Sequence, residues 1–325
     1  MSRGGPFLVV GLNPVIQRTM AVKQVNWNGA SSVLWSRTDM AGQGGNTARI
    51  LHQLGHEVGN LCQLGEEDAP FFAHSMEQEG VTVDWVPTAG TIRNCHTIIN
   101  TSTGEITELV EEGIAVDDGV EDRIRERFTA ALPKVRWVVV TGSRAPGFSH
   151  EIVPWMVERA KEAGVAVGLD VRGSDLTRSL PFEPDVVKIN VPEFVQTFFS
   201  GRIALEQAVD AEDTVQITEK LVALTQNSST AIALSHGKYD SLLAVAGVVQ
   251  SVPVFPVTVK NTIGCGDSAM AGFVAGRSQG EHFRDALLLG HRCAARNAEV
   301  YKPGSLHEGA PVDEIIRGGR NQAEA

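Results

Sequence analysis

The stretch Asn261–Ser268 reads NTIGCGDS, and the small-residue run AMAGFVAG that follows it is typical of a helix. Gly264 and Gly266 allow a tight turn and a close approach of the backbone to a ligand, because neither carries a Cβ. The amides of residues 264–267 are then expected at the positive end of that helix. Such a helix end binds anions, phosphate above all. The stretch therefore predicts a phosphate site at the start of a helix.

Asp267 makes this site unusual, because a carboxylate repels phosphate. Its presence is explained if Asp267 accepts the proton of a hydroxyl that attacks the phosphate. An anion-binding helix end with an adjacent base is the minimum requirement for phosphoryl transfer to an alcohol. The stretch taken alone is equally compatible with an N-capped helix after a glycine turn.

Two other phosphate-binding patterns are excluded. Gly264, Gly266 and Ala269 fit the dinucleotide pattern G-x-G-x-x-A. That pattern opens a βαβ unit with an acidic residue about 20 positions later. Here only helical patterns follow, so we discard this interpretation. The sequence contains no G-x-x-x-x-G-K-[ST], so it is not a P-loop protein.

Composition bounds the class of protein. The chain has 325 residues, of which 42% are hydrophobic and 21% charged, as in an ordinary soluble globular protein. Its formal net charge of −11 argues against nucleic acid or an anionic membrane as a partner. The four cysteines form no C-x-x-C pair, which predicts free thiols and a cytoplasmic location. No apolar stretch approaches the roughly 20 residues that cross a bilayer.

The order of patterns predicts an α/β fold. Phe7–Gly11 is a continuous apolar run, as in a strand buried on both faces. From Val116 onward, strand and helix patterns alternate, which indicates a doubly wound, mostly parallel sheet flanked by helices. We expect one domain over residues 1–325, only a turn before the strand at Asp185, and β structure in SVPVFPVTVK (251–260).

Two segments depart from this alternation. Residues 15–40 and 91–111 alternate apolar and polar side chains around turn sequences, which predicts two antiparallel hairpins. We interpret them as a small β-sheet lid.

Polar residues follow several predicted strands, where ligands bind in such sheets. Lys188 is a candidate counter-ion for phosphate, and Asn190 with Glu193 could hold a hydrated Mg²⁺ or form a helix cap. A glycine loop around Gln43, followed by Asn46, suits a small polar ligand. Arg93 could bind a phosphate in bidentate fashion. Asp170 also ends a strand, without an assigned role.

These segments together resemble the PfkB family of carbohydrate kinases, which have a ribokinase-like fold, over nearly the whole chain. NTIGCGDS is similar to the family signature D/N-T-x-G-A-G-D. LNPVIQRT, AGQGGNTARIL and KINVPEF look most like the branch of 1-phosphofructokinase and tagatose-6-phosphate kinase. The resemblance implies a kinase that uses ATP and Mg²⁺, a β-sheet lid over the sugar site, and a homodimer formed through the lid.

The resemblance also implies a role for each matching residue. The catalytic group is Asp267 as general base, with an anion hole formed by Gly264, Cys265 and Gly266. The ATP-binding group is Lys188, Asn190, Glu193, Ser235, Gly237 and Thr262, with Asn190 and Glu193 also serving Mg²⁺ through water. The substrate-binding group is Asn13, Gln17, Gln43, Gly44, Gly45, Asn46 and Arg93.

Departures from the family pattern concentrate on the sugar side. Gln17 stands where the branch has an acidic residue, and Gln43 replaces the lysine of GGKG. A phosphorylated acceptor loses one cation there, a charge-assisted hydrogen bond typically worth ~1.5–3 kcal/mol. We therefore predict phosphoryl transfer to a sugar or sugar phosphate and leave the acceptor open. A kinase-like binding or regulatory protein without catalysis, and a nucleoside kinase on the same fold, remain alternatives.

Overall fold

The computed structural model describes residues 6–199, 211–308 and 313–316. In chain order its strands are β1 (Phe7–Val10), β2 (Val15–Val22), β3 (Val33–Ala41), β4 (Val58–Gly65), β5 (Thr82–Thr88), β6 (Asn94–Asn100), β7 (Ile106–Val110), β8 (Trp137–Thr141), β9 (Ala166–Asp170), β10 (Val186–Asn190), β11 (Ala231–His236), β12 (Tyr239–Val245), β13 (Val248–Val252) and β14 (Asp313–Ile316). Its α-helices are α1 (Gln43–Gln53), α2 (Ala69–Gln78), α3 (Val120–Ala131), α4 (Ile152–Glu162), α5 (Gly173–Ser179), α6 (Val191–Phe198), α7 (Ala211–Thr225), α8 (Cys265–Ser278) and α9 (Phe283–Ala298).

The larger of two sheets has nine strands in the order β13-β12-β11-β10-β9-β8-β1-β4-β5. The strands from β11 to β5 pair in parallel, and β12 and β13 add an antiparallel edge. Helices cover both faces, and successive residues of β1 show this directly. Phe7 and Val9 pack in one apolar cluster, whereas Leu8 and Val10 pack in the other. The predicted doubly wound sheet is confirmed.

The second sheet is smaller, with the order β14-β3-β2-β6-β7. β2 pairs antiparallel with β3, and β6 with β7, as the two alternating segments predict. β2 and β6 join the two hairpins in parallel, from Ile16 opposite Asn94 to Val22 opposite Asn100. Residues of β2 and β7 line one cleft together with residues at the carboxyl ends of β1, β8 and β10, so this sheet stands beside the carboxyl edge of the large sheet.

Two local predictions were wrong. The segment before β10 contains the short helix α5 where we expected only a turn. Residues 253–260 form no strand, although their composition is rich in valine. Pro253 and Pro256 have no amide hydrogen to donate to a ladder, which explains the end of β13 at Val252. The predicted domain limits at residues 1 and 325 lie outside the described part of the chain.

Within the described ranges, no helix combines the length and the apolar character that crossing a bilayer requires. All four cysteines carry free thiols, and three of them are buried.

Candidate active site

A cleft of about 440 Å³ lies where the carboxyl ends of β1, β8 and β10, the starts of α1 and α8, and the inner face of the small sheet meet. Most of the predicted site residues line it. They are Asn13, Gln17, Gln43, Gly44, Gly45, Asn46, Arg93, Lys188, Asn190, Glu193, Thr262, Gly264, Gly266 and Asp267. Residues that are up to 254 positions apart in sequence therefore share one cavity.

The turn before α8 has the geometry that its glycine predicts. Gly264 is the N-cap of α8 and adopts the left-handed φ of 83°. A Cβ at this position would come within 2.3 Å of the Gly304 amide nitrogen. Asn261 fixes the approach to the turn, because its Oδ1 accepts from the Ile263 amide at 3.1 Å and its Nδ2 donates to the Tyr301 carbonyl at 2.9 Å. Only glycine fits at position 264.

The start of α8 presents its backbone to the cleft. The amide of Cys265 donates to the Thr262 carbonyl at 3.2 Å, so this donor is already paired. Burial raises the pKa of the Cys265 thiol to about 11, and the thiol is therefore protonated at neutral pH. A Cβ on Gly266 would lie 2.8 Å from the Lys188 Nζ, which leaves a narrow gap between the helix end and this ammonium group.

Asp267 lies in the first turn of α8, with 5% of its surface exposed, and faces the cleft. Its Oδ2 accepts a hydrogen bond from the Asn46 Nδ2 at 2.8 Å. Burial raises the pKa of Asp267 to about 7, while the Asn46 hydrogen bond and the Lys188 charge oppose the rise. A carboxylate with this pKa can both accept and release a proton near neutral pH.

Lys188, at the carboxyl end of β10, forms a buried ion pair with Asp170 on β9, with 2.9 Å between Nζ and Oδ2. Burial disfavours the charge on Lys188, but the Asp170 carboxylate outweighs it, so the pKa of Lys188 is raised. The sequence had placed Asp170 at a strand end without a role. On β9, Asp170 lies opposite Thr141 of β8, which lines the cleft, and from there it keeps the ammonium group in place.

Asn190 and Glu193 form a complete capping box at the start of α6. The Asn190 Oδ1 accepts from the Glu193 amide at 2.9 Å, and the Glu193 Oε2 accepts from the Asn190 amide at 3.4 Å. The second carboxylate oxygen of Glu193 lies 3.7 Å from Arg172, which the sequence reasoning did not single out. Both side chains also line the cleft, so the cap and a ligand-facing role coexist.

The small sheet supplies the other wall. Gln17 is buried and donates its Nε2 hydrogen to the Thr97 Oγ1 at 2.7 Å. The Arg93 guanidinium donates to the carbonyls of Glu111 at 3.0 Å and Asn13 at 3.2 Å. Glu108 also lines the cleft, and burial raises its pKa. No sequence signal identified Glu108, because it belongs to an ordinary alternating strand.

Two predicted nucleotide contacts lie elsewhere. Ser235 is in β11 and Gly237 follows that strand, and neither lines the main cleft. Next to them is a separate cavity of about 280 Å³. It is lined by Val191, Thr214, Ile217, Leu234, His236, Tyr239, Asp240 and Leu242. His291 does not line the main cleft: its Nδ1 donates to the Pro253 carbonyl at 2.8 Å, and its Nε2 lies 2.9 Å from the Ser241 Oγ.

Gly304 packs directly against the side chain of Asn46. It has a left-handed φ of 57°, and a Cβ there would lie 2.3 Å from the Asn46 Cβ. We expect Gly304→Ala to displace Asn46 and to lower the free energy of unfolding by about 1–3 kcal/mol from overpacking, besides roughly 1–2 kcal/mol from backbone strain. Gly280→Ala is the matched control, since Gly280 has a φ of 84° with no atom within 4 Å of its Cβ position. Equal losses for the two variants in urea unfolding would contradict the expected contact with Asn46.

Comparisons with known proteins agree with this fold. The family described as pfkB family carbohydrate kinase matches residues 35–307. A 1-phosphofructokinase from Rhodobacter capsulatus is 28% identical over 305 residues, which cover 93% of this chain and 90% of the relative. Phosphofructokinase-2 from Escherichia coli, in complex with potassium, superposes with a TM-score of 0.78 at 18% identity over 94% of each chain. The same enzyme in complex with fructose-6-phosphate gives 0.77 at 17% identity over 90% of this chain and 94% of that one.

Proposed function

We propose, because the chain belongs to the pfkB family of carbohydrate kinases, that it transfers the terminal phosphoryl group of ATP to a hydroxyl of a sugar or sugar phosphate. One observation carries the proposal. The carboxylate of Asp267 faces the same cleft as Asn46, Arg93 and the start of α8. A base, an anion-binding helix end and a polar acceptor wall in one cavity are what this reaction requires.

In the proposed mechanism, Asp267 accepts the proton of the attacking hydroxyl. Its raised pKa of about 7 matches this role, since a base works best when its pKa is close to the working pH. The backbone at Gly264 and Gly266 and the positive end of α8 stabilise the charge on the transferring group, whereas the amide of Cys265, predicted as a third donor, is engaged with the Thr262 carbonyl. Lys188 adds a cation from the side of β10.

Mg²⁺ fits this donor set only as a hydrated ion. Within the described residues, no group of three or more His, Cys, Asp or Glu side chains is arranged to hold a metal ion. The capping box uses the Asn190 Oδ1 and the Glu193 Oε2, and both side chains also line the cleft. Mg²⁺ retains several waters and needs few protein carboxylates, so these two residues would hold it through water. When bound with ATP, the ion neutralises charge on the phosphates.

The acceptor is proposed from the same cleft. Arg93 is the cation on the small-sheet wall, and we assign it to a substrate phosphate. The R. capsulatus relative is a 1-phosphofructokinase, which supports a phosphorylated hexose as the acceptor. Gln17 on β2 and Gln43 at the start of α1 line the same cleft with uncharged amides, so the acceptor site holds fewer charges than the branch pattern implies.

The remaining parts of the proposal concern the whole chain. We propose that the small sheet is a lid that closes over the acceptor and excludes water. The exposed side chain of Leu109, on the edge strand β7 and on the face opposite the cleft-lining Glu108 and Val110, supports a homodimer formed through this sheet. A single domain and a cytoplasmic location complete the proposal, the latter supported by four free thiols.

A panel assay tests the proposed function. ATP consumption is measured with Mg²⁺ and, in turn, hexoses, hexose phosphates and nucleosides. We expect stimulation by at least one hexose or hexose phosphate. Stimulation by nucleosides alone would favour a nucleoside kinase instead. If no acceptor stimulates ATP consumption, the protein is a binding or regulatory member of the family and the proposed transfer is wrong.

A further inference from the structure

Arg49, on α1, is among the largest side chains that are completely buried in the described part of the protein. Its guanidinium is surrounded by acceptors. Nε pairs with the Glu79 carboxylate, and Nη2 donates to the Met40 carbonyl. Nη1 donates to the Asn46 Oδ1 at 3.1 Å and lies 3.3–3.4 Å from the carbonyls of Pro303 and Gly304. A guanidinium this deep in the protein costs desolvation energy unless its partners are all in place.

The contact with Asn46 has a chemical consequence. Arginine carries only donors, whereas the asparagine amide has an accepting oxygen and a donating nitrogen. Because Arg49 donates to the Asn46 Oδ1, the amide group must turn its Nδ2 the other way. That nitrogen donates to the Asp267 Oδ2 at 2.8 Å. Arg49 therefore determines which end of the amide meets the carboxylate.

Charges around Arg49 compensate its burial. Lys302 contacts Glu79 on its other side and lies 3.9 Å from Asp39 on β3, which is paired with Arg37 at 2.7 Å. Burial by itself would raise the pKa of Glu79, but Arg49 and Lys302 outweigh it and the pKa is lowered. Glu79 is thus ionised and compensates the buried charge, while the carbonyls of Met40, Pro303 and Gly304 fix the direction of the guanidinium. The cluster connects α1, α2, β3 and the segment after α9.

We propose that Arg49 is a positioning residue, which orients the Asn46 amide so that its N–H group holds the carboxylate of Asp267 toward the cleft. The inference rests on the proposed function of Asp267 as the base. Arg49 does not line the cleft, so it acts on the reaction only through Asn46.

Loss of Arg49 should change the pH dependence of kcat/KM. Without Arg49 the Asn46 amide is free to turn, and Asp267 loses a hydrogen bond that lowers its pKa. The other charged groups facing Asp267 are Lys188 on β10, Asp170 on β9 and Glu193 on α6, and none of them changes. Since Asp267 must be ionised to accept a proton, the acidic limb of kcat/KM should move to higher pH. The loss of activity is then largest at low pH and shrinks as the pH rises.

The test uses Arg49→Met, with Glu79→Gln as the matched control. Glutamine at position 79 removes the negative charge but keeps a hydrogen-bond acceptor for Arg49, which can still orient Asn46. If Arg49 only stabilised the fold, the two variants would change the pH profile alike. We expect the acidic limb of Arg49→Met about one pH unit above the wild-type limb, and an unshifted limb for Glu79→Gln. KM for ATP should stay the same in both.

A double-mutant cycle with Asn46→Ala completes the test. If Arg49 acts through Asn46, Arg49→Met should lower kcat by less than about twofold in the Asn46→Ala background, compared with about tenfold in the wild-type background. Additive effects, or a Glu79→Gln limb that shifts as far as the Arg49→Met limb, would overturn the inference. Should Arg49→Met fail to fold because it leaves Glu79 unpaired, Arg49→Met/Glu79→Gln replaces it and is compared with Glu79→Gln in the same measurements. A wild-type protein inactive with every acceptor would instead refute the proposed function.

Discussion

Asp267→Asn is expected to lower kcat by about 10²–10⁴-fold, the usual contribution of a positioned general base. The asparagine keeps the size of the side chain and an oxygen that accepts from Asn46, but it cannot take the proton of the attacking hydroxyl. ATP binding should remain, because the proposed phosphate contacts come from the backbone of α8 and from Lys188. The measurements are steady-state kcat with the best acceptor and ATP affinity by calorimetry.

Asp175→Asn serves as the control for this variant. Asp175 is also buried and ionic, paired with Arg144 at 2.8 Å, but it lies outside the main cleft. We expect a change in its kcat of less than a few-fold. Turnover of Asp267→Asn close to the wild-type value would contradict the assignment of Asp267 as the base.

The melting temperature of Asp267→Asn provides a second readout. The pKa of Asp267 in the folded protein is about 7, above the value of about 3.9 in an unfolded chain. Ionisation of this group therefore disfavours the folded state increasingly as the pH rises from about 4 to about 7. Asp267→Asn should raise the melting temperature at pH 8 and leave it nearly unchanged at pH 4. A loss of kcat caused by misfolding would lower the melting temperature instead.

Elements that local sequence patterns specify were predicted, whereas elements that depend on contacts distant in sequence were not. The run FLVV in β1 and the alternating residues of the small sheet report their own burial, so their strands were predicted correctly. The short helix α5 reads GSDLTRS, and its glycine and serines give a weak local helical preference. Its ends are fixed by tertiary packing, which is why only a turn was expected there.

In the candidate site, too, residues adjacent in sequence were recognised and partners distant in sequence were missed. The glycines and Asp267 are adjacent in sequence, so their shared chemistry was visible before their geometry was known. The partners of Arg49 and Lys188 were not, because Glu79 lies 30 positions from Arg49 and Asp170 lies 18 positions from Lys188. A single sequence gives no signal that such residues meet. The pair of Lys188 and Asp170 depends on the parallel register of β9 and β10, and the pair of Arg49 and Glu79 depends on the contact between α1 and the end of α2.

The ion pair between Lys188 and Asp170 should give the largest change in stability. Both side chains are at most 5% exposed, so removing one charge leaves the other buried without compensation. We expect Lys188→Met to lower the free energy of unfolding by about 3–5 kcal/mol at pH 7–8. Arg127→Met is the matched control, because its partner Asp84 is half-exposed and the loss there should stay below about 1 kcal/mol. Urea unfolding measures both.

The pH dependence and a second substitution identify the cause of that loss. Burial raises the pKa of Asp170 even with Lys188 present, and without the lysine it should rise further. The folded state then binds a proton that the unfolded state releases, so the deficit should shrink as the pH falls toward the ordinary aspartate pKa of about 3.9. Lys188→Met/Asp170→Asn should recover most of the stability at pH 7 without recovering turnover, because the cation proposed for the phosphates is still missing. Two results would contradict this explanation: a double variant no more stable than Lys188→Met, or a loss of stability in Lys188→Met that does not depend on pH. In either case the buried charge of Asp170 would not be the cause of that loss.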